Sequence, residues 1–165
     1  MIKLKNILNE SYVSGVSDID VIAATIVGEA GGEGYEGMQA VKNVLQNRAD
    51  KKGRIAARIS LMPRAFSMWD TATAGVSVPD DFNKDDRPKK IQSIIDMYKK
   101  HSKWDTAVTL AKSGVEDITG GATHYWASSG QQALKDKDGN PDPPYWAEEW
   151  QDPIVIGNHT FGISS

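Results

Sequence analysis

The chain has no cysteine. Disulfides and thiolate metal sites are therefore excluded, and the redox compartment is left unmarked. It also lacks an excess of positive charge: the net charge is −3 at pH 7 and the pI about 5.6. A nucleic-acid-binding surface usually shows itself as a basic patch, so that class is set aside. No apolar run is long enough to span a bilayer. The opening residues MIKLKNILNESYV carry two early lysines but no continuous apolar core before Asn6, Asn9 and Glu10. They do not read as a secretion signal.

Several chemical signatures are missing too. There is no HExxH spacing, so His124 and His159 read as polar partners rather than metal ligands. The glycine-rich GEAGGEG has neither the lysine nor the serine or threonine of a phosphate loop. Without a GxSxG elbow, Ser67 is no serine nucleophile. Asp136 to Asn140 hints at a calcium loop, but the closing glutamate expected at position 147 is Ala147, and a plain turn is the better reading. No metal and no cofactor are expected.

What is present is enough apolar material for one domain: 39% of 165 residues are hydrophobic. Residues 1–16 read as an N-terminal arm or short helix, and residues 17–165 as a single domain. Residues 17–30 form a helix with Ser17 as N-cap and Asp18 and Asp20 in its first turn. Only a thin strip through Asp18, Thr25 and Glu29 is polar, so this helix is central. Gly31 and Gly32 stop it. A second helix spans 35–49, with Tyr35, Met38, Val41, Val44 and Leu45 on one side. A weaker one runs from Arg54 to Met62, before Pro63. Residues 75–87 read as a loop. Pro88 then opens a helix whose buried face is Ile91, Ile94, Ile95 and Tyr98. Trp104 to Lys112 is a further helix, residues 134–144 are turn-rich, and the tail PIVIGNHTFGI gives one or two short strands. The fold class is α+β, helix-dominated, with a small late β component.

Glu29 is the residue that raises a chemical question. It sits at the C-terminal end of its helix, where the backbone dipole disfavours negative charge. Apolar neighbours favour the neutral acid as well. Both effects raise its proton affinity, and a glutamic acid tuned upward can protonate a glycosidic oxygen. The helix alone leaves a second reading open, a solvated helix-end residue. Glu33 and Glu36 are equally ambiguous.

Four strings then occur in order. They are Gly28–Glu29–Ala30–x–Gly32–Glu33 with Glu36–Gly37–x–Gln39–Ala40–Val41 and Asn47–Arg48; Pro63–x–x–Phe66–Ser67; Gly120–Gly121–Ala122–Thr123–His124–Tyr125; and Tyr145–Trp146 with Ile156–Gly157–Asn158–His159–x–Phe161. This pattern resembles the cell wall hydrolases of the SleB, or spore-cortex-lytic, type over about residues 20–162. The resemblance implies a lysozyme-like domain. It implies cleavage of peptidoglycan between N-acetylmuramic acid and N-acetylglucosamine, as a lytic transglycosylase or muramidase. It also implies Glu29 as the catalytic glutamate. Some positions depart from the family pattern. Gly31 replaces a usual arginine, Ala65 a usual glutamine and Ala127 a common asparagine, and the segment from Gly130 to Pro144 is longer.

One carboxyl suffices for a transglycosylase, which closes the muramic 6-hydroxyl onto its own anomeric carbon. Hydrolysis needs a second carboxylate, for which Glu33 and Asp70 are the candidates. Phe66, Tyr125, Trp126 and Trp146 are candidates to stack on sugars. Ser67, Thr123 and Asn158 are candidates to bind hydroxyl and acetamido groups, and His124 and His159 to orient a hydroxyl or the acid. The expected partner of this monomer is the glycan strand, with no nucleic acid and no integral membrane segment. With no signal peptide, delivery to the wall would follow another route, as for a phage endolysin or virion-associated lysin. The rival reading is a non-catalytic wall-binding or virion structural module on the same fold.

Overall fold

The computed structural model describes residues 11–73, 83–130 and 133–164. Most of the expected arm and the 75–82 part of the expected loop lie outside the described residues. Residues 11–16 lie on the domain. Val13 and Val16 are buried in the core, and the Tyr12 N–H donates to the Asp18 carboxylate at 2.8 Å.

Helix α1, Asp18–Ala30, is the hub. The Ser17 hydroxyl caps it by accepting from the Asp20 N–H at 3.3 Å, and the acids of its first turn complement the dipole. Because apolar residues cover nearly its whole circumference, α1 packs against α2, Gly34–Lys52; α3, Ala56–Ser60; α5, Arg87–Tyr98; and α6, Trp104–Lys112. Even its polar strip turns inward at Thr25. That buried hydroxyl donates to the Val21 carbonyl and accepts from Trp69 Nε1 at 3.0 Å. Trp69 belongs to an unforeseen short stretch, a 3-10 turn Ser67–Trp69 that runs into α4, Asp70–Thr73. Helix α3 is shorter than the expected 54–62. Helix α6 has the expected bounds, and α5 carries Pro88 in its first turn.

Helix α2 outruns the expected 35–49 by one turn at its C-terminal end and closes at Gly53, φ 59°. Met38, Val41, Val44 and Leu45 are buried as expected, but Tyr35 is 56% exposed, since the first turn of α2 projects past the core. The C-terminal half of α2 also organises the polypeptide that leads into the sheet. Asn43 Oδ1 accepts from the Ile118 N–H at 3.2 Å. Asn47 Nδ2 donates to the Ala122 carbonyl at 3.0 Å, and Arg48 Nε to the Thr123 carbonyl. Residues four or five apart on one helix thus fix consecutive points of an extended segment.

That segment becomes β1, His124–Ala127, which was not foreseen as a strand. It pairs antiparallel with β3, His159–Gly162, and β3 pairs with β2, Ile154–Ile156, giving the order β1-β3-β2. Tyr125 lies opposite Phe161. The two tail strands are the ones expected. They are joined at Gly157–Asn158, with Gly157 at φ 57° as a tight hairpin turn requires. Asp136 accepts from the Asp138 and Asn140 N–H groups, so that stretch is a turn. The class is α+β and helix-dominated, as expected. Among the described residues no helix is long and apolar enough to cross a membrane.

The α2 anchors predict a stability effect. Asn47→Ala leaves the Ala122 carbonyl without its Asn47 donor and is expected to cost about 1–2 kcal/mol. Thermal unfolding followed by circular dichroism should show Tm lower by roughly 2–8 °C.

Candidate active site

Glu29 is the penultimate residue of α1 and is half-buried. Tyr125 reaches it from β1 and donates its hydroxyl to Glu29 Oε2 at 2.7 Å. Burial pushes the Glu29 carboxyl above its ordinary range. The Tyr125 hydrogen bond and the Arg48 guanidinium pull it down, without cancelling the rise. Burial and the Glu29 charge raise the Tyr125 phenol in turn, which keeps it a donor. Its ring packs against the edge-on imidazole of His159 and the ring of Phe161, each 5.3 Å away, and those two rings also meet each other at 6.2 Å.

Arg48 acts electrostatically on the same pair. It stacks over the Phe66 ring at 5.2 Å while its Nε holds the Thr123 carbonyl. On the other flank, Gly28 is exposed next to Glu29. A Cβ there would fall 2.4 Å from the Met68 sulfur and 3.1 Å from the Tyr98 hydroxyl. Glycine is therefore what lets Met68 and Tyr98 close up beside the acid. Burial and the Glu29 charge raise the Tyr98 phenol, which places Tyr98 within the electrostatic reach of Glu29.

Glu33 occupies a different station. Its Oε2 accepts from the Asn158 N–H at 3.0 Å and its Oε1 from Asn158 Nδ2 at 3.2 Å, with His159 Nδ1 3.9 Å from Oε2. A Cβ on Gly157 would sit 2.7 Å from Oε2, so the hairpin needs glycine to receive this carboxylate. Burial alone would raise the Glu33 carboxyl, but the Asn158 hydrogen bonds and His159 bring it below its ordinary range. Asp70 is exposed at the start of α4. Neither carboxylate is among the groups that set the proton affinity of Glu29.

The other expected site residues divide by position. Phe66 is 3% exposed and lies beneath Arg48, so its ring is core rather than a free stacking platform. The Thr123 hydroxyl is buried, accepting from the Ser164 N–H and bonded to His124 Nδ1, so it is occupied within the protein. Ser67 is exposed beside Met68. Asn158 latches Glu33, and His159 supports Tyr125. Strand alternation turns His124 and Trp126 to the opposite face from Tyr125. There His124 meets Trp146, ring centres 5.9 Å apart, and Trp146 meets Trp150 at 5.4 Å. The structure thus brings Tyr125 to Glu29 directly and His159 through Tyr125, but it places His124, Trp126 and Trp146 elsewhere.

Arg48, Met68, Tyr98 and Gly28 were missed as site residues. For Arg48 a signal existed. It continues the 41, 44, 45 spacing of the buried stripe of α2, and a cation on an apolar stripe needs a partner.

A family model described as Cell Wall Hydrolase matches residues 32–162, a span that opens just past Glu29 and includes Glu33, Arg48 and Tyr125. No curated protein sequence matches the chain. Among solved structures, the catalytic domain of the germination-specific lytic transglycosylase SleB from Bacillus anthracis is 22% identical, with 90% of this chain and 98% of that one covered at a TM-score of 0.49. The catalytic domain of the Bacillus cereus SleB protein is 23% identical, with 93% and 98% covered and the same TM-score of 0.49.

The raised Glu29 carboxyl predicts a pH-dependent stability difference. Folding increases its proton affinity, so between 4.5 and the higher folded value the folded chain binds more protons than the unfolded one. Stability therefore falls as pH rises through that window. Glu29→Gln removes this contribution. Tm measured against pH should coincide for the two proteins below 4.5 and be higher for the variant above the window.

Proposed function

The chain belongs to the cell wall hydrolase family, and on that footing we propose that it cleaves peptidoglycan glycan strands with Glu29 as general acid and base. The bond is the one from N-acetylmuramic acid C1 to the O4 of N-acetylglucosamine. The observation that carries the reading is the half-buried Glu29 carboxyl, raised by burial and gripped on Oε2 by Tyr125 at 2.7 Å. That grip leaves Oε1 to hold the proton and aim it at the glycosidic oxygen. As the C1–O4 bond breaks, the proton passes to O4 and the N-acetylglucosamine departs with a free hydroxyl. Negative charge then appears on Glu29, where Tyr125 and Arg48 accommodate it.

The carboxylate next takes the proton of the muramic 6-hydroxyl, whose oxygen closes on C1. The product is a 1,6-anhydro end, and Glu29 is again protonated. No second carboxylate takes part. Glu33 supports that choice, because a base that activates water accepts a proton best when its proton affinity lies near the working pH. Glu33 is instead drawn below the ordinary carboxylate range by the turn it holds.

Turbidity loss of purified walls tests the acid. Glu29→Gln should slow it by roughly 10²–10⁴. Mass spectrometry of the digest should show anhydro-muramic ends. Reducing ends would replace cyclisation by hydrolysis. Binding of walls by both proteins, without solubilisation by either, would leave a non-catalytic wall-binding module.

A further inference from the structure

Arg48 borders two places at once. Besides acting electrostatically on Glu29, it lines a hollow of about 600 Å³ between α2, α3, the 62–65 turn and the start of β1. Three more cations line the same hollow, Lys51, Lys52 and Arg64, and no carboxylate among the described residues does. Among the described residues, none of these three has a carboxylate partner. Among the described residues Lys51 Nζ donates to a neutral group, the Ser164 carbonyl, at 3.1 Å. Met62 and Pro63 give the wall an apolar side. Arg64 is held at φ 63°, a left-handed conformation that a non-glycine residue adopts at a cost.

The field of these cations is registered by the imidazole that shares the hollow. His124 is lowered to about 4, by burial first and then by Arg48, Lys51 and Lys52. It is neutral at neutral pH and adds no charge. The hollow thus sets four cations against an apolar wall, and Arg48 is the residue it shares with the groups that act on Glu29.

We propose that this hollow binds the carboxylates of the peptide stem borne by the muramic residue at the scissile bond. The inference rests on the cleavage reading given above. Two wall components could supply an anion, stem carboxylates or teichoic phosphodiesters. The stem hangs from muramic C3, on the sugar whose C1 reacts, and is therefore obliged to lie near Glu29. A phosphodiester on muramic O6 would remove the hydroxyl that cyclisation requires. Stems also pair alanine methyls with carboxylates, which matches a wall of Met62 and Pro63 facing Arg48, Lys51, Lys52 and Arg64.

The first test is binding. A soluble stem tripeptide, L-alanyl-γ-D-glutamyl-diaminopimelate, is titrated into the protein and amide shifts are followed by NMR. A glycerol-phosphate oligomer is titrated in parallel. The stem should shift the amides of residues 48, 52, 64 and 124 saturably. The double variant Lys52→Glu, Arg64→Asn should bind it about tenfold more weakly. Both positions are exposed, and asparagine tolerates the backbone of residue 64, and a melting curve checks the fold. No saturable stem binding, or saturable binding of the phosphate oligomer alone, overturns the proposal.

The second test is digestion of intact walls and of walls whose stems an amidase has removed. The wild-type rate ratio, intact over stripped, should be about tenfold, and the double variant should bring it close to one. A wild-type ratio of one overturns the proposal. The binding arm does not need Glu29, so failure to cleave any wall would defeat the cleavage reading and still leave stem binding decided on its own readout.

Discussion

The site depends on one hydrogen bond between distant parts of the chain, from the Tyr125 hydroxyl to Glu29 Oε2. It joins the end of the central helix to the first strand of the sheet. A bond of this kind orients an acid only if both ends are fixed independently. Glu29 is fixed because α1 is packed on nearly all sides. Tyr125 is fixed because Asn43, Asn47 and Arg48 hold the polypeptide that leads into β1, and because its ring packs against His159 and Phe161. Much of the fold outside α1 can be understood as the means of placing one phenol.

Two glutamates four residues apart are driven in opposite directions by their surroundings. The proton affinity of Glu29 is raised because burial outweighs its partners. That of Glu33 is lowered because Asn158 supplies both oxygens with N–H donors. Divergent proton affinities within one motif usually mark a division of labour. Here the ionised member closes the β2–β3 hairpin, and that hairpin carries His159 against Tyr125. Glu33 is thus linked to Glu29 by a chain of contacts through the turn, the imidazole and the phenol.

The helices were legible because their signal is periodic. Ser17, Pro88 and the stripe 38, 41, 44, 45 mark starts and faces that the structure keeps. The upward shift of the Glu29 carboxyl was legible for a related reason, since a carboxylate at the end of a nearly all-apolar helix has apolar neighbours. The short pieces were not. Residues 67–73 and strand β1 are fixed by tertiary partners, the Thr25 hydroxyl for Trp69 and the α2 anchors for Thr123, and no local pattern reveals those. Phe66 and Thr123 were taken for cleft residues because they lie in recognisable strings. Such strings record packing as readily as contact with a ligand. Here Phe66 supports Arg48 and Thr123 secures the chain near Ser164.

Arg48 bears on how readily the raised Glu29 carboxyl can give up a proton. A carboxyl kept neutral by desolvation alone would resist giving up its proton, since the resulting charge would have no partner. A fixed cation beside it lowers the cost of the anion, but a strong ion pair would ionise it in advance. Arg48 avoids that extreme by dividing its interactions among the Thr123 carbonyl, the Phe66 ring and the Tyr125–Glu29 pair. Burial still prevails in the resting acid, and the cation contributes most when the proton has gone. A lysine would not serve equally well. It lacks the planar fork that can bond a carbonyl in one direction and lie flat on a ring in another. The position therefore requires arginine for its shape as much as for its charge.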